Sequence, residues 1–272
     1  MPALSIIIAV YKNIPALDLI LRGLNRQSFR DFEVIIAEDN DSELMKNFIE
    51  KTDYFFPINH ISQPDNGFQK DKALNKSVAA SASDYLVFID GDCIPNKHFL
   101  KAHFENREKG FALFGRRVML SEKFTNQLFK AQNLPQNSEN TEGVISSITI
   151  FNLFVNRCKK MDCAFYLPFL KNKIQTETGI WGCNWSIHKK HIVAVNGFDE
   201  DYIRPGCGED TDIEWRLFKI GIQLKKIKNK AIQYHLHHPE NYNDTIKNEQ
   251  IMAQKKAVGK AVCERGLNVY LT

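Results

Sequence analysis

The 272-residue sequence has little cysteine, and none of it is paired as C-x-x-C. Cys93, Cys158, Cys163, Cys183, Cys207 and Cys263 are scattered through a chain too long to depend on a disulfide framework. Zinc-ligand spacing is absent too, so a reducing, cytoplasmic setting is expected. Long apolar runs are missing. The stretch Leu4 to Val10 falls far short of the roughly 20 residues that a membrane helix needs. The opening MPALSIIIAVYKN has neither the basic region nor the small-residue cleavage site of a signal peptide. Any association with a membrane is therefore expected to be peripheral. Charge of one sign is nearly balanced, at +4, and basic residues do not interleave with aromatic ones, which argues against nucleic acid as a partner. Modest basic clusters at Lys225, Lys226, Lys228 and Lys230 and at Lys255-Lys256 read either as a solvated face or as a weak attraction to anionic phosphates or a membrane surface.

The composition itself is that of a globular protein, with 43% hydrophobic and 25% charged residues. Leu4 to Val10, Phe32 to Ala37 and Tyr85 to Ile89 are β-branched, two-sided apolar runs, the pattern of central parallel strands. Between them, 14–27, 41–51 and 70–82 carry apolar residues at helical spacing, and Asn59 to Gln63 reads as a short strand. This alternation implies an α/β fold with a Rossmann-like, mostly parallel sheet covered by helices on both faces. Further along, 97–109 reads as a helix, Phe111 to Leu120 as one strand, Glu209 to Ile220 as a helix, Ala231 to Tyr234 as a strand and 244–265 as a closing helix. The stretch from 121 to 178 has no clear period and is expected to shape an acceptor side.

In such sheets ligands sit at the carboxyl ends of strands. Two acidic clusters fall there, at 38–41 and at Asp90-Gly91-Asp92. Two carboxylates one glycine apart can converge on one divalent cation, and that cation can face a diphosphate. A phosphatase nucleophile loop would place its acidic pair after the first strand and follow it with Thr, whereas this pair follows a later strand and precedes Cys93. Asp39 could accept a base N–H, with Asp41 left to cap the next helix. Lys70 and Lys72, near a helix start, could neutralise a diphosphate. Gly206-Cys207-Gly208 leads into Glu209, Asp210 and Asp212, and a carboxylate there could take the proton of an attacking hydroxyl. His235, His237 and His238 follow a strand end as a candidate metal or phosphate contact.

Together these segments resemble glycosyltransferase family two, whose fold is GT-A. SIIIAVYKN, EVIIAEDND, QPDNGFQKDKALNKSVAAS and YLVFIDGDCIP are similar to its first strand, base-binding, donor-loop and D-x-D segments, with Glu38 and Asp71 as departures. GCNWSIHKKHIVAVNGFDEDYIRPGCGEDTDIEWRL and YHLHHP resemble the C-terminal half of bacterial capsule polymerases and galactosyltransferases. The resemblance implies a single GT-A domain over 1–272, with a nucleotide-sugar half at 1–95 and an acceptor half at 96–272. It implies an inverting hexosyl- or N-acetylhexosaminyltransferase that uses a UDP-sugar and Mn²⁺ or Mg²⁺. The acceptor would be a glycan or lipid-linked glycan in bacterial surface polysaccharide or lipopolysaccharide synthesis. Asp210 takes the catalytic-base position. Val10, Tyr11, Asp39, Lys70, Asn75, Asp90 and Gly91 take the donor side, and Trp181, Asn184, Trp185 and Glu209 the acceptor side, with a core role the equal alternative for at least one of the two tryptophans. Asp92 and His235, with Asp90 and His238 as further candidates, take the metal. A binding-only protein of the same fold would lack these carboxylates. A nucleotidyltransferase would carry a glycine-rich loop where AVYKNIPAL stands.

Overall fold

The computed structural model describes residues 1–132, 140–175, 179–206, 208–239 and 245–271. Among these residues the strands form two sheets. The larger runs β3-β2-β1-β4-β9-β6-β10-β8, built from β1 (Leu4–Val10), β2 (Phe32–Glu38), β3 (Ile58–Ile61), β4 (Tyr85–Asp90), β6 (Phe111–Phe114), β8 (Lys173–Gln175), β9 (Trp185–His188) and β10 (Gln223–Lys226). The smaller holds β5 (Cys93–Pro95), β11 (Ile232–His235) and β7 (Arg116–Met119) in the order β5-β11-β7. In the large sheet β3, β2, β1, β4, β6 and β10 run parallel, and β9 and β8 run against them.

The alternation of side chains along β1 explains the two-sided cover. Leu4, Ile6, Ile8 and Val10 join one apolar cluster, packed with Leu17, Ile20 and Leu24 of α1 (Ile14–Asn25). Ile7 joins the other, with Leu74 and Val78 of α3 (Lys70–Ala80) and Ile213 and Leu217 of α9 (Glu209–Lys219). Each such fully buried aliphatic side chain contributes about 1.5–3 kcal/mol. The remaining helices are α2 (Glu43–Glu50), α4 (Phe99–Asn106), α5 (Glu122–Gln132), α6 (Asn140–Ser146), α7 (Ile150–Val155), α8 (Lys189–Ala194) and α10 (Ile246–Val258).

Three details differ from the sequence reading. Phe111 to Leu120 is not one strand: it breaks at Gly115, and its halves enter different sheets. A Cβ at Gly115 would lie 2.3 Å from Asn184 Nδ2, so the break is where the two sheets are stitched together. Helix α2 is capped by Ser42, which accepts from the Met45 N–H, while Asp41 instead accepts from Ser62 Oγ at 3.0 Å. The irregular insert includes α5, α6 and α7, and its parts at 133–139 and 176–178 lie outside the described residues. None of the helices among the described residues is long and apolar enough to cross a membrane.

Candidate active site

β1, β2 and β4 end side by side, and their carboxyl ends open onto a cleft of about 880 Å³. Val10, Tyr11, Asp39, Lys70, Asp90, Gly91, Asp92, Trp181, Glu209, Asp210 and His238 all line it. Residues far apart in sequence therefore meet because the parallel strands deliver them to one edge and α9 points its first turn at the same place.

On the β2 side, Asp39 is 6% exposed. One oxygen accepts from Gln63 Nε2 at 2.8 Å and the other from the Gln69 N–H at 2.6 Å. Burial pushes its pKa up against those two hydrogen bonds. Each oxygen keeps a second lone pair for a ligand N–H. Its neighbour Glu38 points to the opposite face of the strand and meets His60 Nε2 at 2.7 Å, which accounts for the acidic doublet without a second ligand contact.

At the end of β4, Gly91 lies so close to β1 that a Cβ would fall 2.6 Å from the Ala9 carbonyl oxygen. This contact lets the Asp90-Gly91-Asp92 turn hug the first strand. Its two carboxylates then diverge. Asp92 Oδ2 lies 3.2 Å from His235 Nε2 and 3.1 Å from His238 Nε2. The antiparallel pairing of β5 with β11 sets His235 opposite Cys93 and so brings it beside Asp92. Ligand atoms of Asp92, His235 and His238 all lie within 4.8 Å of one another. Burial opposes the Asp92 charge, but the two imidazoles outweigh it and hold its carboxyl far below the usual range. Asp92 in turn pushes His238 up to about 9. One carboxylate oxygen and two imidazole nitrogens converging on one point suit a divalent transition metal, Mn²⁺ included. His237 turns away and is exposed.

Asp90 does not join that trio. Its Oδ1 accepts from Lys70 Nζ at 3.0 Å, and its Oδ2 lies 3.9 Å from Arg117 Nη1. Lys70 also reaches Glu209 Oε1 at 3.3 Å. Burial acts against the Lys70 ammonium, yet Asp90, Glu209 and Asp210 keep its pKa well above the usual lysine range. Burial and the charges of Asp210 and Asp90 push Glu209 up to about 7, against the pull of Lys70.

Asp210 accepts the Gly182 N–H through Oδ2 at 2.7 Å. Burial, followed among the raising causes by the charge of Asp90, lifts its pKa, with Lys70 and Gly182 pulling the other way. A carboxylate with a raised pKa is a better proton acceptor. The third acid of that turn has a structural role: Asp212 pairs with Arg216 Nε at 2.6 Å and accepts from Tyr202 Oη at 3.2 Å. Glu214, one turn past Asp210, accepts the N–H groups of Gly179 at 2.7 Å and Ile180 at 2.5 Å. Helix α9 thus pins the 179–182 segment along one wall, where Trp181 is 39% exposed. Arg116, Lys160 and Arg117 surround its ring at 4.3, 4.8 and 5.9 Å. Cys207, between the two glycines ahead of α9, lies outside the described residues.

Three assignments drawn from resemblance need correction. Trp185 is 1% exposed and stacks on Phe88 at 4.4 Å in the core, so it offers no face to a sugar. Asn184, also 1% exposed, donates to the Arg116 and Ala231 carbonyls and meets His103, tying the two sheets together. Asn75 is fully buried, and it donates to the Phe198 carbonyl and accepts the Phe198 N–H, holding α3 to the turn after α8. Conversely, Arg117 and Glu214 escaped the sequence reading. Nothing local marks them, since their roles arise only when β7 and α9 close on the cleft.

Residues 5–169 match the family model described as glycosyl transferase family 2, and residues 159–239 match that described as the N-terminal domain of galactosyltransferase. The chain is 24% identical over 257 residues to the chondroitin synthase of Escherichia coli, covering 89% of this chain and 36% of that protein. Among solved structures, it resembles the mannosyltransferase PcManGT of Pyrobaculum calidifontis in complex with GDP-Man and Mn²⁺, with TM-score 0.59 and 13% identity over 99% of this chain and 68% of that one. It also resembles S. aureus TarS in complex with UDP-GlcNAc, with TM-score 0.60 and 14% identity over 98% of this chain and 69% of that one. These likenesses show the fold, which is GT-A.

Proposed function

The chain belongs to glycosyl transferase family 2, and from that premise we propose that it is an inverting, metal-dependent transferase that moves a sugar from a UDP-sugar to an acceptor hydroxyl. The observation that carries the reading is the meeting, in one cleft, of the Asp92, His238 and His235 cluster with a half-buried carboxylate, Asp210, whose pKa is raised.

In this reading Asp39 accepts the N3–H of uracil, and Val10 and Tyr11 line the base. Asp92, His235 and His238 would hold Mn²⁺ or Mg²⁺, which would supply positive charge to the leaving diphosphate. Lys70 and Arg117, gathered around Asp90, add positive charge at the same wall. Trp181 presents a ring face to the acceptor sugar, and Glu209 accepts one of its hydroxyls. Asp210 takes the proton of the attacking hydroxyl. That oxygen bonds to the anomeric carbon as the bond to the diphosphate oxygen breaks, and UDP leaves with the electron pair. One displacement inverts the anomeric centre and needs no protein nucleophile.

A role in polysaccharide assembly is supported by the likeness to the chondroitin synthase of Escherichia coli. The acceptor would be a glycan or lipid-linked glycan of a bacterial surface polymer, met at the cytoplasmic face of the membrane by a peripheral enzyme. The chain spans 36% of the length of the Escherichia coli synthase that it matches. The test is to incubate the protein with α-linked UDP-sugars and short glycan acceptors and to read the anomeric proton of the product by NMR. A β-linked product is expected, and an α-linked product or a covalent sugar–protein adduct would overturn the reading.

A further inference from the structure

The lysines of β8, of β10 and of the segment after β10 are not used by the transfer site. Strand β8 closes the edge of the large sheet, and its antiparallel register sets Lys173 directly opposite Lys226. Two like charges in directly opposed positions destabilise a sheet. Among the described residues no acid pairs with either of them. Lys228 and Lys230 lie beside them, the first paired with Asp162 and the second hydrogen-bonded to Asn106 Oδ1 at 3.1 Å. With Lys171 and Leu170 these four line a pocket of about 270 Å³, separate from the transfer cleft. Burial, together with the positive charges of Arg116, Lys228 and Lys173, lowers the Lys226 pKa, so the surplus charge is felt within the pocket.

The same rim is apolar where it leaves the pocket. Phe169 is 78% exposed and Leu170 42% exposed, next to Lys171 and Lys173 in sequence. A free anion would account for the lysines and leave Phe169 in water. A hydrated acidic glycan would do the same. A lipid interface supplies anionic headgroups for the lysines and a place for the phenyl ring.

We propose that the lysine pocket between β8 and β10, with Phe169 and Leu170 at its rim, docks this protein on an anionic lipid surface. The proposal deepens the reading of a peripheral enzyme, and its test reads lipid binding rather than transfer, so that either can fail alone. The full chain is sedimented with vesicles of phosphatidylcholine alone and of phosphatidylcholine with phosphatidylglycerol, in low and high salt. Binding to the anionic vesicles only, weakened by salt, is expected. Lys173→Gln with Lys226→Gln should weaken it by roughly tenfold or more, and Phe169→Ser should weaken it without changing the salt dependence. The double variant should melt at or above the wild-type temperature, because it removes a repulsive pair, and should release UDP from a donor as the wild type does. Wild-type protein that ignores anionic vesicles overturns the proposal, as does a double variant that binds them unchanged. Capture on heparin through the same lysines without vesicle binding would assign the pocket to an acidic glycan instead. Loss of vesicle binding on adding inorganic phosphate at constant ionic strength would assign it to a free anion.

Discussion

Replacing Asp210 by Asn removes a proton acceptor and little else. Asn has the same shape, and its carbonyl oxygen can still accept the Gly182 N–H now 2.7 Å from Asp210 Oδ2. Lys70 keeps Asp90 at 3.0 Å and Glu209 at 3.3 Å, so no cation is left unpaired and the variant should fold. The loss of a general base is worth about 10²–10⁴ in rate, or roughly 3–5.5 kcal/mol of transition-state stabilisation. Donor affinity should stay within about twofold, because Asp39, Asp92 and His235 are untouched. The wild-type rate should climb with pH through the raised carboxyl pKa, since only the carboxylate can accept the proton, and the variant should lose that limb. The assay is transfer to an acceptor, followed as UDP release, beside calorimetric titration of UDP. A variant that transfers within about tenfold of wild type, or keeps the same pH limb, would refute the assignment of the base.

Three further outcomes follow from the geometry. His235→Ala leaves Asp92 with His238 alone, so Mn²⁺ affinity should fall by more than the 10–100-fold typical of outer-shell changes, read as loss of the Mn²⁺-induced rise in melting temperature. Gly182→Ala puts a Cβ 2.6 Å from Asp210 Oδ1, and it should lower kcat at least tenfold while leaving UDP affinity intact, as measured by the two assays above. Glu209 has its pKa raised to about 7 from 4.5, so it binds more protons folded than unfolded between those values. Its charge costs stability as pH rises through that window, up to about 3 kcal/mol with the pull of Lys70 already counted. The melting temperature of Glu209→Gln, relative to wild type, should therefore rise from pH 4 to pH 8, and a flat difference would contradict the burial argument.

The first ninety-five residues were legible because strands buried on both faces leave continuous β-branched runs, and a polar cluster at the end of each run marks the ligand edge. Asp39 and Asp92 stand out for that reason, His235 because it ends a later strand, and Asp210 because a glycine-bearing loop leads into an acid-rich helix start. The residues misread share another property. Asn75, Asn184 and Trp185 occupy motif positions but spend their side chains inside the molecule, bonded to backbone or stacked in the core. Sequence shows their type but not their direction. The break at Gly115 was invisible because apolar residues lie on both sides of it, Phe111 to Phe114 before and Val118 to Leu120 after, and only the approach of Asn184 forces the change of sheet. Glu214 looks like any helical acid until the 179–180 backbone arrives above it.

The most direct test of the account is release of UDP from a panel of UDP-sugars, with a glycan acceptor present, in Mn²⁺ and again in excess chelator. Release from one sugar that needs the metal, and that is lost in both Asp92→Asn and Asp210→Asn, is the expected result. Equal release in metal and in chelator would contradict it.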